Sequence, residues 1–331
     1  MDTIRVGMIG AGWIAQEHRR VLDSRPDAEL VAVCDVDRER AQALAGSAGA
    51  RAYLDWRELL DVEDLGALIV CTPPRSHREP AIAALERGLP LYLEKPIART
   101  AEDAAEIVAA AERTGTVCAI GYQWHALDLL DELPGLLQGQ QIGLLLGTSV
   151  GPTQSRPWFV DMRAGGGNLL ERGSHHLDLA RAVAGDVASA QAAAGRVRLA
   201  RGAGDSGDID DALTIMLEMT SGALATIVVA WTRPGQPGSY GLDIVASEAT
   251  LRLALDPDFS LTGVTDGQRV ERRAGSHPFE RSMRRFLGAV SERDPSAVVC
   301  IPRDAARTLA VAIAAERALE TSRAVPVESP P

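Results

Sequence analysis

Residues 4 to 9, Ile4-Arg5-Val6-Gly7-Met8-Ile9, form a largely apolar run that passes directly into Gly10-Ala11-Gly12-Trp13-Ile14-Ala15. A run of this kind, broken by two glycines and followed by a helical pattern with Trp13, Ile14, Val21 and Leu22 on one face, predicts the strand, tight turn and helix that open a βαβ unit. The glycines let backbone approach a pyrophosphate at the helix N-terminus, where free N–H groups and the helix dipole favour anions. The next apolar strand, Leu30 to Cys34, ends at Asp35, 25 residues after Gly10. An acid at about that place accepts the ribose hydroxyls of an adenine dinucleotide. Asp35 therefore points to NAD. It would repel the 2′-phosphate of NADP, although Arg38 and Arg40 lie close enough in sequence to leave dual use open. The plainer role for Asp35 is a helix N-cap, for which Asp37 is the better candidate.

Strand and helix go on alternating. Helix 38–45 and a short helix near Trp56–Leu60 precede the strand Ala67–Cys71, which ends in Thr72-Pro73-Pro74. Helix 77–87 closes at Gly88, strand 91–93 ends at Glu94-Lys95-Pro96, a helix capped near Thr100 runs to Arg113, and strand 117–120 ends at Gly121-Tyr122-Gln123. Five alternations predict a doubly wound parallel sheet. Gly10, Asp35, Thr72, Lys95 and Gln123 each follow a strand, so this fold gathers them at one sheet edge, where open α/β sheets bind ligands.

Lys95 is the only lysine in a chain with 34 lysines and arginines. An arginine does not release its proton in a protein, whereas an ammonium is a compact donor suited to proton chemistry. Pro96 keeps Lys95 out of helical geometry. The alternative is a chance survivor of a composition that made arginine the default cation.

The second half changes character. Segments 212–219, 223–231, 242–246 and 250–255 alternate or run apolar between turn signals and predict an antiparallel sheet, with breaker-rich loops at 202–208 and 233–238 and helices at 172–184, 278–292 and 304–321. At 331 residues two domains are expected, 1–121 and 122–331. The net charge of −11 argues against nucleic acid or an anionic membrane as partner and leaves small molecules. Cys34, Cys71, Cys118 and Cys300 are far apart and look like reduced core thiols. With no basic-apolar leader and no apolar run of ~20 residues, a cytoplasmic location is expected.

Gly165-Gly166-Gly167-Asn168-Leu169-Leu170-Glu171-Arg172-Gly173-Ser174-His175-His176-Leu177-Asp178 is the second stretch with chemistry in it. On one helix Glu171, His175 and Asp178 share a face. A carboxylate beside an imidazole raises its basicity, which suits a general base. A helix-start ion pair with a satisfied histidine is the bland alternative, and the three glycines, which permit close approach of a ligand, weigh against it. No second ligand cluster completes a metal site, so no metal is expected. His18, His125 and His277 are expected to be structural or exposed.

Taken together, GAGWIA, Cys34-Asp35-Val36-Asp37, Thr72-Pro73-Pro74 with His77, Glu94-Lys95-Pro96 and GGG…Glu171-x-Gly173-x-His175-x-x-Asp178 resemble the glucose-fructose oxidoreductase / inositol dehydrogenase / MocA family over nearly the whole chain. The resemblance implies an α/β architecture: an N-terminal Rossmann domain binding NAD(P), and a C-terminal α+β domain whose large, mostly antiparallel open sheet often forms a dimer or tetramer interface. It implies an oxidoreductase moving a hydride between the nicotinamide and a hydroxyl-bearing carbon of a sugar, polyol or cyclitol. Lys95 and His175 would serve catalysis, with Glu171 where the family commonly has aspartate, and Pro74 replaces the family's usual asparagine. The cofactor contacts expected are Gly10, Gly12, Trp13, Ile14, Asp35, Thr72, Pro73, His77, Glu94, Lys95 and Gln123. Trp124, Arg163, His175 and His176, with Lys95, are expected at the substrate; Arg156 and Trp158 could join them. Relatives that are redox-neutral NAD-dependent glycosidases or non-catalytic nucleotide sensors supply two rival functions.

Overall fold

The computed structural model describes residues 3–152, 161–195, 209–233 and 235–328, with Arg163 and Ala164 described by backbone alone. By contacts the chain divides into two compact units, residues 1–123 with 278–306 and residues 124–277 with 307–331.

In the first unit, β1 (Ile4–Ile9), β2 (Ala28–Cys34), β3 (Arg51–Tyr53), β4 (Ala67–Val70), β5 (Leu91–Leu93) and β6 (Cys118–Ile120) form one parallel sheet in the order β3-β2-β1-β4-β5-β6. The sequence order reverses beside β1, the switch point at which such sheets open a crevice. The central strands β4 and β5 are buried at every position, as parallel strands covered on both faces must be. The intervening helices are α1 (Trp13–Asp23), α2 (Arg38–Ala48), α3 (Trp56–Val62), α4 (Arg78–Glu86) and α5 (Ala101–Thr114). Their ends follow local chemistry. The Asp37 side chain accepts N–H bonds from Glu39 and Arg40, Thr100 accepts from Asp103, and Gly88, at φ 69°, takes the left-handed conformation just past α4. The short edge strand β3 was not expected.

The second unit contains α6 (Leu129–Leu136), α7 (Met162–Gly165), α8 (Ser174–Ala184) and a nine-stranded sheet. Its strands are β7 (Ile142–Pro152), β8 (Val187–Gly195), β9 (Ala212–Met219), β10 (Leu224–Thr232), β11 (Ser239–Ala246), β12 (Ala249–Asp256), β13 (Ser260–Thr265), β14 (Gln268–Arg273) and β15 (Val325–Pro326), ordered β14-β13-β12-β11-β7-β10-β9-β8-β15. All neighbouring pairs are antiparallel except β7 with β10. The loop expected at 202–208 lies outside the described residues.

Helix α9 (Pro278–Glu292) belongs by contacts with the first unit, although it follows the second sheet in sequence. Phe279, Met283, Phe286 and Leu287 repeat at helical spacing and share one apolar core with Val6, Met8, Val21, Leu22 and Tyr92. The last helix, α10 (Pro302–Thr321), carries residues of both units. All four cysteines are free and buried, as expected. Burial pushes the Cys34 and Cys118 thiols up to about 12 and Cys71 well above its ordinary value, so they are inert at neutral pH. No helix among the described residues is long and apolar enough to cross a membrane.

Phe286 is fully buried. Phe286→Ala is expected to lower the unfolding free energy by about 3–5 kcal/mol, read from urea denaturation followed by tryptophan fluorescence.

Candidate active site

The glycine turn is built by close approach. At Gly10 φ is 96°, and a Cβ there would lie 2.7 Å from the Cys71 carbonyl carbon and oxygen, so only glycine fits where the ends of β1 and β4 meet. A Cβ on Gly12 would meet nothing within 4 Å. Gly12 caps α1 without a side-chain hydrogen bond, and the first turn of the helix holds no acid. An anion at this helix start would meet backbone N–H groups with no acid in the first turn to compete for them. Asp35 fastens the turn: its Oδ2 accepts the Ala11 N–H at 2.7 Å and its Oδ1 the Asp37 N–H at 2.9 Å. Each oxygen keeps a lone pair for a ribose hydroxyl. The open space over Gly12, the uncapped N–H groups and the tethered acid fit the pyrophosphate and ribose of a dinucleotide. Trp13, expected on the buried face of α1, is 53% exposed at its start, while Ala15, His18, Val21 and Leu22 fill that face.

Lys95 follows β5 as expected. It is the partly exposed residue between buried Glu94 and buried Pro96, Ile97 and Ala98, so its side chain is what this turn presents outward. Two of its expected companions do something else. His77, expected at the cofactor, is fully buried. Its Nε2 faces the Thr72 carbonyl at 2.8 Å, and its Nδ1 lies 3.0 Å from the Pro96 oxygen and 3.3 Å from that of Ile97. The ring ties the turn after β4 to the turn after β5 and has no surface left for a ligand. Burial lowers its pKa, with the carbonyls and the Glu94 charge opposing. Glu94, also expected at the cofactor, is 5% exposed. Its Oε1 is 2.7 Å from His18 Nε2, and its Oε2 accepts the Lys95 N–H at 3.2 Å. Thr72 and Pro73 form the partly exposed turn after β4, Gln123 opens a short turn after β6, and Ile14 is half-buried on α1.

In the second unit the stretch from Leu169 to Gly173 is a π turn that runs into α8, in place of the continuous α-helix expected. Wide turns of this sort recur at functional sites. Glu171 and His175 are partly exposed on either side of the junction. The Trp124 ring, 7% exposed, lies 4.9 Å from the His175 ring and 5.0 Å from that of His176. Trp124 thus backs the histidines and offers no open stacking face.

His176, expected at the substrate, is fully buried. Its Nε2 donates to the Gly241 carbonyl at 3.1 Å, and a Cβ on Gly147 would come within 3.0 Å of the ring. Neighbours on a helix point ~100° apart, so while His175 keeps solvent contact His176 packs on the sheet. Asp178 does not complete a base either. It is buried, 3.2 Å from His125 Nδ1, and accepts the Thr308 hydroxyl at 3.2 Å. The Arg163 side chain, Arg156 and Trp158 lie outside the described residues.

The model of the oxidoreductase family with an NAD-binding Rossmann fold matches residues 4–122, and the model of that family's C-terminal domain matches residues 146–252. The chain is 30% identical to inositol 2-dehydrogenase 3 of Saccharopolyspora erythraea, over 79% of this chain and 75% of that protein. The chain belongs to the Gfo/Idh/MocA family. The family member myo-inositol 2-dehydrogenase of Thermotoga maritima is 27% identical over 98% of this chain and 99% of its own. Among solved structures, levoglucosan dehydrogenase in complex with NADH and levoglucosan superposes with a TM-score of 0.87 at 20% identity, over 99% of this chain and 100% of that one, which shows the shared fold. As a member of the Gfo/Idh/MocA family the chain is an oxidoreductase with an NAD-binding domain.

His18, expected to be structural or exposed, is buried on the apolar face of α1, four residues before Leu22. Burial pushes the His176 pKa down from 6.5 to about 4, with carbonyl hydrogen bonds opposing. The unfolded chain therefore binds the extra proton between those values, and stability present at neutral pH is lost as pH falls through the window, by about 3 kcal/mol. Urea midpoints at about pH 7 and about pH 4.5 should differ by more in the parent than in His176→Gln, which has no proton to gain.

Proposed function

We propose that this protein is an NAD-dependent dehydrogenase acting on a secondary hydroxyl of a sugar, polyol or cyclitol. The observation that carries the reading is Lys95: the one lysine of the chain, at the carboxyl end of a parallel strand, with its backbone held by the Glu94 carboxylate while its side chain stays partly exposed. The relatives named as inositol and levoglucosan dehydrogenases support the substrate class.

Gly10, Gly12, Trp13, Ile14, Asp35, Thr72, Pro73 and Gln123 would hold the dinucleotide, which when bound takes the hydride from the carbinol carbon. His175 accepts the hydroxyl proton, oriented by Glu171 and backed by Trp124. Lys95 donates a hydrogen bond to the same oxygen and stabilises the charge that develops on it. Asp35 favours NAD over NADP. Of the two arginines that could have welcomed a 2′-phosphate, Arg40 pairs with Asp37 at 3.3 Å. Arg163 is a candidate substrate contact.

The experiment is reduced-nicotinamide formation with NAD⁺ or NADP⁺ against aldoses, inositols, polyols and sugar acids. One substrate group should respond, with NAD⁺ preferred. Lys95→Arg should bind NAD as the parent does and lose roughly 10²–10⁴-fold in kcat. Parent-like turnover by that variant, or silence across the panel with the cofactor tightly bound, overturns the reading.

We further propose a homodimer or homotetramer formed through the second sheet. Leu146 on β7, Met216 on β9 and Leu224 on β10 are exposed. The register sets Leu146 and Met216 on either side of Thr226, and Leu224 beside Leu144. An apolar face of this kind marks an association surface. The double variant Leu146→Glu/Leu224→Glu should run as a monomer by light scattering, with the parent at twice or four times its mass.

A further inference from the structure

The pair His18–Glu94 is not needed for the glycine turn, and its burial is costly. His18 is 1% exposed and Glu94 5%, at a separation of 2.7 Å. Tyr92 and Phe279 meet the His18 ring edge-on at 5.1 and 5.8 Å. Replacing such a pair by well-packed apolar residues is often neutral or stabilising, because two desolvated groups rarely recover their hydration through one contact. Stability alone therefore gives little reason to hold a carboxylate there.

The geometry gives a different one. A carboxylate only accepts, so His18 donates through Nε2–H, while His18 Nδ1 has no hydrogen-bond partner among the described residues. The second Glu94 oxygen accepts the Lys95 N–H. A Cβ on Gly121 would lie 2.9–3.1 Å from three atoms of the carboxylate, so Gly121 at the end of β6 closes the remaining side. Beyond Lys95, the Pro96 and Ile97 carbonyls face His77. Glu94 through its side chain, Lys95 through its N–H, and Pro96 and Ile97 through their carbonyls are thus all held in the turn 94–97. His18 supports the turn from α1, the helix that begins at the glycine turn.

We propose that His18 is a positioning residue for Lys95, acting through the Glu94 carboxylate and so tying the lysine to the helix that receives the dinucleotide phosphates. The proposal rests on the reading in which Lys95 serves the reaction. The lone lysine makes the test direct. Reductive methylation with ¹³C-formaldehyde gives a dimethyl-Lys95 resonance, identified by its absence in Lys95→Arg, and it is followed across pH in the cofactor-free full chain. His18→Phe fills the ring volume without the N–H, and His18→Gln restores a donor near the Nε2 position.

The Lys95 resonance and its titration midpoint should move in His18→Phe and return toward the parent in His18→Gln. Tyr92→Phe, a change in the same pocket that removes only the hydroxyl bonded to Ser282 at 2.9 Å, should leave them in place. With substrate, His18→Phe should lower kcat roughly 10- to 10²-fold with KM and NAD affinity unchanged, and should lower it no further in a Lys95→Arg background. A parent-like lysine resonance in folded His18→Phe overturns the proposal, as does a kcat loss that is additive with Lys95→Arg. If His18→Phe does not fold, Glu94→Gln takes its place, since it keeps the shape, removes the charge and should move the same resonance. A parent that oxidises nothing in the panel defeats the dehydrogenase reading, and the resonance in the cofactor-free protein still decides the role of His18.

Discussion

The approach of the β1 end to the β4 end sets the rest of the first unit. With Gly10 against the Cys71 carbonyl, no side chain fits between the two strands, and the chain must turn into α1 at that point. That start gives the helix its phase. Ala15, His18 and Leu22 then face the sheet, and His18 reaches the residue before the lysine. A glycine that the approach of Cys71 requires thus also helps set, one and a half turns along α1, where an imidazole meets Glu94.

Three polar side chains of this unit hold backbone positions. Asp35 holds the glycine turn, Glu94 accepts the N–H of Lys95, and the His77 ring lies among the carbonyls of Thr72, Pro96 and Ile97. Glu94 and His77 are themselves buried, and buried polar atoms require partners. The second unit follows the same practice. His176 and Asp178, next to or near His175 in sequence, fasten α8 to the sheet and to Thr308 on α10, leaving His175 on its aromatic backing.

Much of the fold was legible because its signals are local. Strand ends marked by Gly10, Asp35, Lys95 and Gly121, and helix ends marked by Asp37, Gly88 and Thr100, depend on the chain within a few residues. The partner of each buried histidine was not legible. His77 and His176 were expected at the cofactor and the substrate, and only helix phase and strand register decide that their rings turn inward. The π turn at Leu169–Gly173 was hidden for a related reason: one residue more per turn leaves the apolar pattern nearly unchanged.

The sequence by itself determined the parallel sheet, the dinucleotide turn and the place of the single lysine, since these follow from periodicity, glycine and strand ends. Tertiary structure alone decided that α9 joins the first unit, because an amphipathic helix states that one face will be covered and not by what. It also decided that Glu94 meets His18, 76 residues away. A buried carboxylate requires a donor, and which donor reaches it depends on how the helices lie on the sheet.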